Sequence, residues 1–229
     1  MATFYTPTKD KHIFAPFGPA IGYLKLSDEL INLLNLQVDN LDQAIGTTQT
    51  VGMEDYSHNL VGKVKEELTF NEVMKEKFLE ETKQFIAEYV AFSEVRNSLG
   101  LRTLNTEKFN YGIELVSAWV VRQFENEYNP LHIHTHCRLS CVGYLKLPEG
   151  IDKEWEEDYT DHHPSNGHIQ FAHGTPSHWS MTNFMVKPQV GDFYLFPADL
   201  FHCVYPFSTV GERRSFSANL NFVETGKDT

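Results

Sequence analysis

Cysteine is scarce in this 229-residue chain: Cys137, Cys141 and Cys203 form an odd, unspaced set. They offer neither a disulfide framework nor a thiolate zinc site, and a reducing cytoplasm is the simplest setting. Cys203, although beside His202, reads as a small core residue. Long apolar runs are also missing, and no stretch approaches the ~18 residues that a membrane helix needs. Residues 1–11 lack the charged-then-apolar order of a secretory signal. Basic residues are outnumbered, 19 Lys and Arg against 31 Asp and Glu, which gives a net charge of -12. That charge repels nucleic acid and anionic membrane surfaces, so neither is expected as a partner. No internal repeat or low-complexity tract is present.

What is present suits one domain over residues 1–229, with enough length to bury a good core. The first 110 residues read as mixed, with helical support. Ser27 is a plausible N-cap, with Asp28 and Glu29 in the first turn and Leu30, Ile31, Leu33, Leu34 and Val38 at helical spacing. A second amphipathic pattern runs from about 71 to 92, with Met74, Phe78, Phe85, Ile86, Tyr89 and Phe92 near one stripe. From about 111 to 223 the chain becomes a series of short segments rich in Val, Phe, Tyr, Leu and Ser. They cover 111–124, 138–147, 168–171, 184–186, 193–196, 202–207 and 215–223, separated by Pro and Gly. Many short strands predict a sandwich or barrel of the jelly-roll kind, and helices followed by strands make the fold class α+β. Residues 148–167 read as the least structured part. They hold Trp155, Tyr159, His162 and His163 in an acidic run that is either a solvated connection or a lid.

Histidine supplies the chemistry. His132, His134 and His136 alternate, and residues two apart on a strand share a face. Imidazoles converging from one strand, joined by one from a distant strand, can hold a transition metal with open positions. His202 is the distant candidate: it follows the apolar run from Phe193 to Phe196, and a buried imidazole there needs a partner. His12, His58, His162, His163, His173 and His178 read as surface or turn residues. In the last strand, Arg213, Ser215, Ser217, Asn219 and Asn221 alternate with Arg214, Phe216, Ala218 and Leu220. A polar stripe headed by arginine suits bidentate capture of a carboxylate inside a barrel; the plain alternative is a strand whose polar side faces water.

Taken in order, these residues resemble the 2-oxoglutarate/iron(II) oxygenases of the double-stranded β-helix class. The resemblance rests on Asn129 and His132-x-His134, then Leu139-Ser140-x-Val142-x-Tyr144-Leu145-x-x-Pro148. It continues through Gly191, Leu195-Phe196-Pro197, Leu200-x-His202-x-Val204 and Arg213-x-Ser215-x-Ser217-x-Asn219, covering roughly 118 to 222. It implies a double-stranded β-helix core buttressed by the N-terminal helices. It implies Fe(II) held by His132, His134 and His202. It also implies 2-oxoglutarate held by Arg213 with Ser215 and Tyr144, while a substrate C–H bond is hydroxylated and succinate and CO2 are released. Arg214 is the alternative anchor if the strand register shifts by one residue. His134 departs from the pattern, because most of these oxygenases carry Asp or Glu there; a subset carries His-x-His. His136 remains a further candidate as ligand, supporting group or substrate contact.

Two other readings stand beside this one: a three-histidine metal enzyme that uses no keto acid, and a non-catalytic β-barrel binding module in which the acidic loop and Trp155 contact a partner. The substrate would be a small molecule or a peptide. Phe124, Tyr128, Tyr144, Trp119 and Trp179 are aromatic candidates for a pocket, and a homodimer is the base-rate expectation.

Overall fold

Period-two alternation in the second half of the chain folds into two antiparallel sheets, as a computed structural model of residues 10–14, 18–44, 52–57, 62–64, 66–97, 111–157 and 165–224 describes. The strands are β1 (Lys11–Phe14), β2 (Ile21–Lys25), β3 (Glu66–Thr69), β4 (Tyr111–Gln123), β5 (Asn129–His132), β6 (Leu139–Lys146), β7 (Ile169–Ala172), β8 (Asn183–Val186), β9 (Asp192–Pro197), β10 (Phe201–Val204) and β11 (Arg213–Glu224). The helices are α1 (Asp28–Ala44), α2 (Glu72–Asn97) and α3 (Ile151–Glu157). One sheet runs β1-β2-β9-β6-β11-β4-β3 and the other β5-β10-β7-β8. This is an α+β jelly roll. Among the described residues no helix is long and apolar enough to cross a membrane.

Each central strand of the larger sheet divides its side chains between two cores. Phe193, Leu195, Phe216, Ala218, Leu220, Ala118 and Val120 point outward, where they pack with Leu30, Leu34, Val38, Met74, Phe78, Phe85 and Ile86 of α1 and α2. Val142, Tyr144, Tyr194 and Phe196 point the other way, toward Ile169, Phe171, Phe184 and Val186 of the smaller sheet. Gly143 sits where any Cβ would run into the Phe216 ring, so the middle of β6 admits no side chain.

The helices begin where side chains cap them. Ser27 Oγ accepts from Leu30 N at 3.2 Å, and Asn71 Oδ1 accepts from Met74 N at 3.0 Å, each satisfying an otherwise orphaned N–H. α2 continues to Asn97, past the stripe read from the sequence, and Phe92 is 38% exposed rather than core-facing.

The first third, read as mixed, holds three strands as well as helices among the described residues, and β3 gives the larger sheet one of its edges. One expectation needs correction. Residues 151–157, read as part of the least structured segment, form α3, which is tied down on several sides. Ile151 is buried, and the Glu154 carboxylate accepts from Ser208 N and Thr209 N at 2.7 Å each. The Trp155 indole donates to Asn166 O at 2.7 Å. A helix held this way is no free lid. Tyr159, His162 and His163 lie outside the described residues, as does His58.

Candidate active site

Pairing between β5 and β10 sets His132 directly opposite His202. His134 follows on extended chain beyond β5, held by its own N–H donating to Ala198 O at 2.9 Å. The ring centroids of 132 and 202 are 4.3 Å apart, those of 134 and 202 are 5.1 Å, and those of 132 and 134 are 5.2 Å. One ligand atom from each of the three lies within 4.8 Å of the other two. His136 does not join them. Its φ of 64° turns the backbone out of the extended path, so alternation along one strand face ends at His134, and the exposed His136 lines the same cavity without joining the ligand cluster.

The tautomers follow from the backbone. His132 Nδ1 lies 2.7 Å from Pro130 O and His202 Nδ1 lies 2.9 Å from Leu200 O. Only a protonated nitrogen can pair with a carbonyl, so both rings carry their proton on Nδ1 and keep a lone pair on Nε2. Burial keeps the cluster neutral. It pushes His202 down to about 3 and His134 to about 4, with His132 also lowered. Three uncharged imidazoles with convergent lone pairs are a donor set for a divalent transition metal.

The three histidines line a cavity of about 480 Å3 whose wall also includes Arg213, Ser215, Ser217 and Asn219 of β11. The polar stripe of β11 therefore faces the interior. Arg213 is 1% exposed, its Nη1 donates to Gln123 Oε1 at 2.8 Å, and its Nε has no hydrogen-bond partner among the described residues. Tyr144 lies under the guanidinium, 5.1 Å from ring centroid to Cζ, and its buried hydroxyl interacts with that arginine. Arg214 takes the opposite face. It is bound to Glu212 at 2.8 and 2.9 Å, to Asp39 at 2.9 Å and to Asn35 at 3.0 Å against α1. The register leaves Arg213 as the arginine facing the metal cluster.

The residues fit the groups they would hold. The imidazoles offer nitrogen donors of the right kind for iron(II), and a buried guanidinium with an idle Nε calls for a carboxylate. Residues 117–219 match the family described as "Putative 2OG-Fe(II) oxygenase". That match spans somewhat less than half of the chain and makes it similar to the 2OG-Fe(II) oxygenases. They are oxidoreductases, and the cofactors are Fe(II) and 2-oxoglutarate. The fold is similar to that of SnoK, a non-heme α-ketoglutarate-dependent carbocyclase from nogalamycin biosynthesis. The TM-score is 0.54 and the identity 9%, over 89% of this chain and 79% of that one. A Pseudomonas putida prolyl-4-hydroxylase scores 0.49 at 14% identity, over 89% and 92% of the two chains. HygX from Streptomyces hygroscopicus, solved with nickel and 2-oxoglutarate bound, scores 0.46 at 10% identity, over 89% and 83%. No curated protein sequence matches the chain.

The oxygenase cavity draws on residues that the sequence did not single out. Of the aromatic candidates, Trp119 lines it, its ring 5.9 Å from that of His134. Tyr144 is buried behind Arg213, whereas Trp179 is 91% exposed and Phe124 and Tyr128 lie outside the lining. Gln123 and Glu67 line the cavity and were missed. For Glu67 a signal was present: Leu68 and Phe70 are apolar, so Glu67 and Thr69 must point the other way if 66–69 is a strand. His173 and His178 are exposed, as expected, and Cys203 stands outside the cluster.

Proposed function

We propose that this oxygenase hydroxylates a C–H bond of a small molecule or peptide, with 2-oxoglutarate as co-substrate. One oxygen atom of O2 enters the product as a hydroxyl. The other enters the succinate that forms as CO2 is lost, so the two oxidations balance. The observation that carries the reading is Arg213, a buried cation with an idle Nε in the same cavity as three neutral imidazoles.

In this reading His132, His134 and His202 hold the iron. Arg213, with the hydroxyls of Ser215 and Tyr144, holds the far carboxylate of 2-oxoglutarate. When bound, the iron supplies dioxygen activation coupled to oxidative decarboxylation of the keto acid. The chain supplies placement: Gln123 fixes the guanidinium from one side, and carbonyls 130 and 200 fix two rings. Val142, Ile169 and Phe196 make an apolar wall that limits water near the ion. Residues 1–229 act as one domain in a cytoplasmic setting, the helices bracing the sheet whose inner face carries Arg213.

Anaerobic addition of Fe(II) and then 2-oxoglutarate should produce a weak visible charge-transfer band and a 2-oxoglutarate-dependent rise in Tm. Absence of both overturns the proposal. The all-imidazole set also favours a second reading, a metal oxygenase that needs no keto acid. Turnover without 2-oxoglutarate and without succinate selects that reading and removes Arg213 from the chemistry.

A further inference from the structure

The cavity has a second charged wall that the iron and the keto acid leave unused. β3 pairs with β4 so that Glu67 stands opposite Val121 and Thr69 opposite Trp119. Leu68 and Phe70 go to the outer core with α2, which turns Glu67 inward. Its residue is 5% exposed. The Trp119 indole is its hydrogen-bond donor, and no Lys, Arg or His among the described residues forms an ion pair with it. Burial accordingly lifts the carboxyl to about 7, the mark of a desolvated acid without a countercharge. The Tyr56 ring packs on Trp119 at 5.4 Å and also lines the cavity.

Position separates this carboxylate from the keto-acid end. Across the sheet, Ser215 pairs with Val121 and Val121 with Glu67, while Arg213 pairs with Gln123. At ~4.8 Å per strand and ~3.3 Å per residue, Glu67 lies about 10 Å from Ser215 and about 12 Å from the backbone of Arg213. A dicarboxylate seated on Arg213 therefore leaves Glu67 unneutralised. Trp119 lies between Glu67 and His134, so a group held at Glu67 is held beside the metal cluster.

We propose that Glu67 is the substrate anchor of this site and that the substrate carries an organic cation, a primary ammonium or guanidinium, received between the carboxylate and the Trp119 and Tyr56 rings. The proposal rests on the oxygenase reading above and assigns that site its substrate class. A carboxylate accepts several hydrogen bonds, and the indole uses one. Electron-rich ring faces add attraction for a desolvated cation. A neutral substrate would leave the buried acid without a countercharge.

The probes are n-butylguanidinium and n-butylammonium, with n-butanol as the neutral control of the same chain length. Binding is measured twice: by calorimetry on metal-free protein, and by perturbation of the charge-transfer band on anaerobic protein loaded with Fe(II) and 2-oxoglutarate. The cations should bind about tenfold or more tighter than butanol in both measurements. Glu67→Gln keeps the shape and an acceptor for the indole; it should abolish the preference while changing 2-oxoglutarate affinity less than about twofold. Equal binding of cations and butanol by the wild type overturns the proposal without any variant, and so does a preference that survives in Glu67→Gln. Failure of the oxygenase reading looks different, because the band itself is then missing while the calorimetric comparison still decides on Glu67.

Discussion

Arg213 and Arg214 are adjacent and equally buried, yet every contact they make differs. Arg213 meets Gln123 and Tyr144 and, among the described residues, no carboxylate, whereas Arg214 is enclosed by Glu212, Asp39 and Asn35. The consequences of removing them should therefore separate. Arg213→Met should weaken 2-oxoglutarate binding by about 2–4 kcal/mol, since a buried charge-assisted pair is lost. It should leave urea stability unchanged or raised, because a desolvated cation is gone. Arg214→Met should behave in reverse, costing about 2–4 kcal/mol in urea denaturation because Glu212 loses a buried partner. Its effect on 2-oxoglutarate affinity should stay small. Equal effects of the two variants on 2-oxoglutarate affinity would remove the anchor assignment from Arg213.

At the scale of elements, β6, β9 and β11 were legible because buried strands in the middle of a sheet write their two environments into the sequence. Arg214, Phe216, Ala218 and Leu220 face the helices, and the residues between them face the cavity. The Ser27 cap was legible for a similar reason, since one side chain satisfies one backbone group beside it. β3 was not. Four residues, Glu-Glu-Leu-Thr, carry too little alternation to separate a strand from a solvated turn, and only pairing with β4 buries Glu67. α3 was hidden by its acidic composition, although Glu154 is used to bind the 208–209 backbone. The end of the histidine alternation at 136 was hidden, because spacing cannot show a left-handed residue. Gly143 offers a test at this scale. Gly143→Ala drives a methyl into Phe216, where packing with Phe78 and Phe193 leaves little room to yield. The expected loss is about 1–3 kcal/mol by chemical denaturation, and a neutral result would mean that β6 and the Phe216 ring are looser than described.

Across the whole molecule, one carboxylate joins several elements. Glu212 binds Arg214 of β11, Arg122 of β4 at 2.8 Å and Lys146 of β6 at 3.3 Å, and Arg122 reaches on to Glu66 of β3 at 2.9 Å. Burial alone would raise its pKa, but the hydrogen bonds and charges of Arg214 and Arg122 prevail and hold it down to about 2. The native state therefore binds fewer protons than the unfolded chain once the pH drops below about 4.5, and the stability that Glu212 contributes is lost as pH falls from there toward 2. Glu67 has the opposite sign. With its carboxyl lifted to about 7, ionisation opposes folding, so stability declines as pH rises from about 4.5 through 7. Melting curves across pH 3–8 should show Glu212→Gln closest to wild type at the acid end. Glu67→Gln should gain most over wild type at the alkaline end. A flat difference in either case contradicts the environment described for that residue. The paired arginines on β11 also limit how this protein can drift. Substitutions along the strand are negotiable one at a time, but an insertion or deletion of a single residue would trade the two guanidinium groups in one step, leaving the iron side without its cation and α1 without its tether. Changes of length are thus confined to the loops beyond either end of that strand.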